Sequence, residues 1–148
     1  FMALENLGYA GDLDAAAAWS VLETDPRAVL VDVRTLAEWT FVGVPDLGGV
    51  GKTPVLIEWQ RYPAMERTPD FEAVLSAELE TRGAGRDAPV LFLCRSGVRS
   101  RSAAIALAGL GYTACHNVAG GFEGPLDAAG HRGTAGGWKA AGLPWVQS

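Results

Sequence analysis

One string in this chain joins residue type and spacing into chemistry: Cys94-Arg95-Ser96-Gly97-Val98-Arg99-Ser100, directly after the apolar run Val90-Leu91-Phe92-Leu93. A thiol acts as a nucleophile only as the thiolate, and the neighbours of Cys94 favour that anion. Arg95, Arg99 and Arg101 supply positive charge. Gly97 permits positive φ or close backbone approach, so the peptide N–H groups can curl inward as an anion-binding nest. A helix starting near Ser100 adds the positive end of its dipole. The plainer alternative makes Cys94 a small buried residue at a strand end, and for an isolated cysteine that alternative would win. A strand, a cysteine, a loop glycine, arginine and serine, then a helix form a far more specific string than one thiol. We therefore read Cys94 as the working nucleophile and Arg95, Ser96, Gly97, Val98, Arg99 and Ser100 as a substrate-binding loop.

The elements that must hold such a loop are a strand ending at Cys94 and a helix after it. The residues on either side supply both, within an alternating pattern. Asp12 reads as the N-cap of a helix through Leu22 that Pro26 stops, and Ala28 to Val33 follows as a buried strand. Thr35 to Phe41 reads as a short helix, the glycines from Gly43 to Gly51 as loop, and Pro54 to Trp59 as another strand. Thr68-Pro69-Asp70 carries the marks of a helix start, with a capping hydroxyl, then proline, then acid, for a helix running to Gly83. Pro89 to Leu93 is the most apolar strand, Ser100 to Leu110 a helix closed by Gly111, and Tyr112 to Val118 the last strand. Strands without a polar face, alternating with helices, predict an α/β fold: a central, mostly parallel five-stranded sheet with helices on both faces. Nothing repeats, and the run Ala15 to Ala18 is only one helical turn long. The chain thus reads as one domain over residues 1–148, with a core of about 9–122 and a Gly-rich tail, 123–148, packing near the active site.

Composition narrows the function. Of 148 residues 49% are hydrophobic and 20% charged, enough to bury a core without crosslinks. A net charge of −5, with no basic run interleaved with aromatics, argues against a nucleic-acid partner, so any anion site is local. Cys94 and Cys115 are too few for a disulfide framework, and neither has the spacing of a metal site, which favours a reducing cytoplasm. No apolar stretch approaches the ~20 residues that span a bilayer, and no export signal opens the chain. Phe1 ahead of Met2 reads as a residue added before a native start.

The segment Leu91-Phe92-Leu93-Cys94-Arg95-Ser96-Gly97-Val98-Arg99-Ser100 resembles the active-site strand and loop of the rhodanese family. Leu30-Val31-Asp32-Val33-Arg34 followed by Glu38-Trp39 is similar to that family's first strand with its acidic and aromatic pair. Val118-Ala119-Gly120-Gly121-Phe122 resembles its segment after the last strand, so the likeness runs from about Tyr9 to Phe122. It departs at Val42-Gly43-Val44-Pro45-Asp46-Leu47, where relatives often carry Gly-His-Ile-Pro-Gly-Ala. The resemblance implies a single-domain sulfurtransferase without cofactor: thiosulfate loads a sulfur onto Cys94, sulfite leaves, and cyanide or a thiol removes the persulfide sulfur. The acceptor could also be a protein. Thiosulfate is favoured over mercaptopyruvate because Arg95 and Arg99 put charge where users of mercaptopyruvate have small neutral residues.

Two other readings compete. Cysteine phosphatases and arsenate reductases use a similar loop, but the dual-specificity type related to rhodanese has five residues between Cys and Arg. Here four separate Cys94 from Arg99, the next position is Ser100, and Leu93 stands where histidine is common. A catalytically silent binding or regulatory module keeps the fold but usually loses the cysteine, which this chain retains. Asp32, Arg34 and Glu38 read as a structural brace, Arg34 reaching Glu38, in preference to substrate contacts, because buried charges persist only when paired. Cys115 reads as core, His116 and His131 as ordinary polar side chains. The aromatics of the tail, Phe122, Trp138 and Trp145, either shape an acceptor pocket or close the core.

Overall fold

Val29–Asp32 and Val90–Leu93 are buried at every position, so each needs cover on both faces. The computed structural model, which describes residues 7–147, provides it; the Phe1-Met2 start lies outside the described residues. In chain order the elements are β1 (Asp12–Leu13), α1 (Ala15–Thr24), β2 (Val29–Asp32), α2 (Leu36–Phe41), β3 (Val44–Pro45), β4 (Val55–Leu56), β5 (Gln60–Arg61) and β6 (Glu66–Arg67). There follow α3 (Phe71–Thr81), β7 (Val90–Leu93), α4 (Val98–Ala108), β8 (Cys115–Val118), α5 (Gly137–Ala140) and β9 (Trp145–Val146). The central sheet runs β1-β8-β7-β2-β4, and every pairing in it is parallel.

Side chains alternate across a strand, and this divides the core in two. Val29, Val31, Val90, Phe92 and Cys94 face α3 and α4, against Phe71, Leu75 and Leu107. Leu30, Leu91, Leu93 and Val118 face α1 and α5, against Leu22 and Trp138. Burying each of these leucines contributes roughly 1.5–3 kcal/mol. The inward positions of α4 include Ala103 and Ala104, small enough to bring the helix close to the sheet.

Several boundaries differ from the sequence expectation, each for a local reason. Asp12 pairs with Asn117 as strand, and Asp14 caps α1 instead, accepting from Ala17 N–H at 2.8 Å. The Thr68 N–H donates to the Trp59 carbonyl, which engages Thr68 with the preceding segment instead of with α3; among the described residues its buried hydroxyl has no partner. Asp70, at φ 57°, is the N-cap of α3, with no side-chain cap bond. The strand expected over Pro54 to Trp59 is regular only at Val55–Leu56, but the Ile57 and Trp59 amides continue it, donating to the Asp32 and Val33 carbonyls. Helix α4 starts at Val98, two residues before the expected position, because Gly97 at φ 114° makes the turn.

Candidate active site

The chain leaves β2 toward β4 on one side of the sheet and leaves β7 toward β8 on the other. Adjacent parallel strands whose connections diverge leave a crevice at their carboxyl ends. Cys94 emerges there from β7, and Arg34 and Thr35 from β2. The Gly97 N–H donates to Cys94 Sγ at 3.1 Å, and Ser100 Oγ lies 3.1 Å from the same sulfur. Cys94 is 1% exposed, so these donors meet the sulfur with water largely excluded, where they are worth more than in solvent.

Asn117, to which the sequence reading gave no role, completes this arrangement. It enters from β8, level with Phe92, and its Oδ1 is 2.5 Å from Ser100 Oγ. Ser100 has a single hydroxyl proton. With a thiol at Cys94, the S–H can donate to Oγ while the hydroxyl donates to Asn117. With an anionic sulfur, the hydroxyl proton can turn to Sγ. The Asn117 amide is held by Asp12 Oδ1 at 3.2 Å, which also accepts from the Tyr9 hydroxyl at 2.7 Å.

The three charged residues expected to form a brace pair differently from the expectation. Arg34 does not reach Glu38: its Nε and Nη2 grip Asp32, the shorter contact being 2.6 Å, and Nη2 also donates to the Gly43 carbonyl at 2.8 Å. Both side chains are fully buried, and the guanidinium lies 4.2 Å over the Phe122 ring. Glu38 instead caps α2 reciprocally with Thr35 and binds Arg99 in bidentate fashion, at 2.6 and 2.9 Å. The charge of Arg99 is therefore committed within the protein. Arg95 is exposed and has no side-chain partner among the described residues.

Burial alone would raise the Glu38 carboxyl, but hydrogen bonds and charge from Arg99, joined by Thr35, outweigh it and hold it below the ordinary carboxylate range. A depressed folded-state value adds stability above the unfolded pKa of about 4.3 that is lost as pH falls through the folded value. The gap in unfolding free energy between wild type and Glu38→Gln should therefore be about 1–2 kcal/mol near pH 7. Denaturant titrations at successive pH values should show the gap closing as pH drops below about 4.

The segment after β8 backs the loop. Phe122 N–H donates to the Cys94 carbonyl at 2.8 Å, and Glu123 and Gly124 N–H donate to the Arg95 carbonyl at 3.0 and 3.1 Å. Gly121, at φ 63°, lies so close that a Cβ there would sit 2.5 Å from the Cys94 oxygen. Gly121→Ala should cost more than about 2 kcal/mol, since both the backbone and its neighbour must move; the denaturant midpoint measures this. Trp138 is fully buried in the core beside α1, its indole N–H donating to the Pro144 carbonyl at 2.7 Å. The tail thus closes the core and props the loop from behind.

Cys115 is buried on β8 in the apolar core, and that burial pushes its thiol up to about 12. His116 is half-buried, and loss of solvent lowers its pKa. Neither side chain reaches the Cys94 sulfur through a hydrogen bond among the described residues.

The family model for the rhodanese-like domain matches residues 14–127, and the chain belongs to that family. It is 35% identical over 128 residues to an uncharacterized protein of Rickettsia conorii, covering 86% of this chain and 90% of that one. It is 32% identical over 127 residues to the thiosulfate sulfurtransferase GlpE of Actinobacillus succinogenes, covering 86% and 82%. Among solved structures, Rv0390 from M. tuberculosis superposes with a TM-score of 0.82 at 51% identity, covering 95% of this chain and 99% of that one. The polysulfide-sulfur transferase homodimer of Wolinella succinogenes shares the fold at a TM-score of 0.56 and 21% identity, covering 98% and 83%. Among the described residues no helix is long and apolar enough to cross a membrane.

Proposed function

We propose that this protein is a sulfurtransferase that carries sulfane sulfur as a Cys94 persulfide, loaded from thiosulfate and unloaded to a thiol or cyanide. The observation that carries this is the convergence of the Gly97 N–H and the Ser100 hydroxyl on one buried sulfur, each at 3.1 Å. Attack of the Cys94 thiolate on the outer sulfur of thiosulfate forms the new S–S bond and releases sulfite with the electron pair of the old one. The persulfide is an anion, and the same two donors with the first-turn amides of α4 stabilise it. Arg95, exposed at the loop, is the cation that draws in the thiosulfate dianion. Two free cysteines suit a reducing cytoplasm.

The commitment of Arg99 to Glu38 favours this reading over a phosphatase. An arginine that wraps phosphate needs its fork free, and both terminal nitrogens of this one are on a carboxylate. The test is to incubate reduced protein with thiosulfate, record intact mass, and then add cyanide. Gain of one sulfur followed by thiocyanate release supports the proposal. An unchanged mass together with steady hydrolysis of an aryl phosphate would replace it with the phosphatase reading; an unchanged mass without hydrolysis points to a silent module.

A further inference from the structure

Thiosulfate and cyanide are small, and neither has an apolar body to place. Beside the Cys94 loop, however, a pocket of about 510 Å³ opens between α2 and the β5–β6 hairpin, a volume typical of sites for organic ligands. Its walls are Phe41 from α2 and Tyr62 and Met65 from the hairpin turn, and Arg95 and Arg99 border it from the loop. Phe41 is 77% exposed and Tyr62 66% exposed. Large aromatics held in water around one concavity, bordered by the loop that carries Cys94, mark a binding surface. Of the two cations, Arg99 is neutralised by Glu38, so the charge the pocket offers a ligand is that of Arg95.

Building on the sulfurtransferase reading, we propose that this pocket holds the body of the sulfur acceptor, a low-molecular-weight thiol with an aromatic or similarly apolar frame and an acidic group directed at Arg95. The acceptor thiolate attacks the outer sulfur of the Cys94 persulfide. The new S–S bond forms on the acceptor, the bond to Cys94 breaks, and its electron pair returns to Sγ as thiolate. The product is the acceptor persulfide anion, and no external oxidant or reductant enters. Phe41 and Tyr62 grip the frame, so they set which thiol is used without touching the reacting sulfur.

Two measurements test this. In the first, protein loaded with thiosulfate is mixed with 4-mercaptobenzoate or with cyanide, and decay of the persulfide is followed by intact mass. Because both side chains are largely exposed, Phe41→Ala with Tyr62→Ala should fold normally. The double variant should lose about tenfold or more in the rate to 4-mercaptobenzoate and change less than about twofold toward cyanide. Equal losses toward both acceptors, or no loss toward either, would overturn the proposal. The second uses 4-(methylsulfanyl)benzoate, which cannot accept sulfur, in an equilibrium titration followed by tryptophan fluorescence or NMR. Saturable binding should weaken about tenfold in the double variant, and Arg95→Gln should abolish the preference for this carboxylate over the corresponding amide. No binding by wild type would overturn the pocket even if thiosulfate loads Cys94. Binding without any loading would uphold the pocket while removing the sulfurtransferase reading.

Discussion

Cys94→Ser is expected to take up no sulfur from thiosulfate, while wild type beside it gains the mass of one sulfur atom and surrenders it to cyanide. The substitution is nearly isosteric, so the Gly97 N–H and Ser100 hydroxyl keep an atom to bind and the fold should be unaffected. What disappears is the nucleophile: a serine hydroxyl stays protonated at neutral pH, and among the described residues no base stands within hydrogen-bond reach to take its proton. Thiocyanate production should fall below detection, with an unchanged thermal midpoint showing that the loss is chemical. Cys115→Ser is the control. With its thiol pushed up to about 12 and no exposure to solvent, Cys115 is not a competing sulfur carrier, and its substitution should leave loading intact. Sulfur uptake by Cys94→Ser would remove Cys94 from the mechanism.

The loop was legible in the sequence because it is contiguous. Strand, thiol, glycine and serine fall within one short stretch, and the backbone of that stretch alone brings the Gly97 amide and Ser100 hydroxyl to Sγ. Asn117 was illegible for the opposite reason: only the register of β7 with β8 sets it beside Ser100, and register across a parallel sheet leaves no local mark. The partners of Arg34 were misjudged on similar grounds. The need to pair a buried charge pointed to Glu38, but Arg34 lies before α2, its side chain turns back along β2 to Asp32, and Glu38 is occupied by Thr35 and by Arg99 from a distant helix. The helix starts slipped where a residue of capping type had a stronger engagement, as Asp12 in the sheet and Thr68 on the Trp59 carbonyl. The β5–β6 hairpin was missed because its strands are two residues long and have no apolar alternation.

Asp32→Ala should be the most destabilising of the substitutions considered, costing about 3–5 kcal/mol. The guanidinium of Arg34 has no exposed surface; among the described residues its Nη1 already lacks a hydrogen-bond partner, and apart from Asp32 it meets one carbonyl and the face of Phe122. Removing the carboxylate leaves a buried cation without its counter-charge, a penalty far larger than the net worth of the intact pair. A domain of this size has roughly 5–15 kcal/mol in total, so Tm should drop by on the order of 10 °C. The effect should extend to function, because Asp32 is in register with Leu93, the residue that precedes Cys94, and the Val33 N–H donates to the Leu93 carbonyl. Loosening β2 at this point loosens the strand end that aims the sulfur, so sulfur loading should slow even below the melting range. Asp32→Leu combined with Arg34→Met removes both charges and should recover most of the lost stability. If the double variant melted as low as Asp32→Ala, the cost would lie in lost packing and hydrogen bonds and not in the orphaned charge.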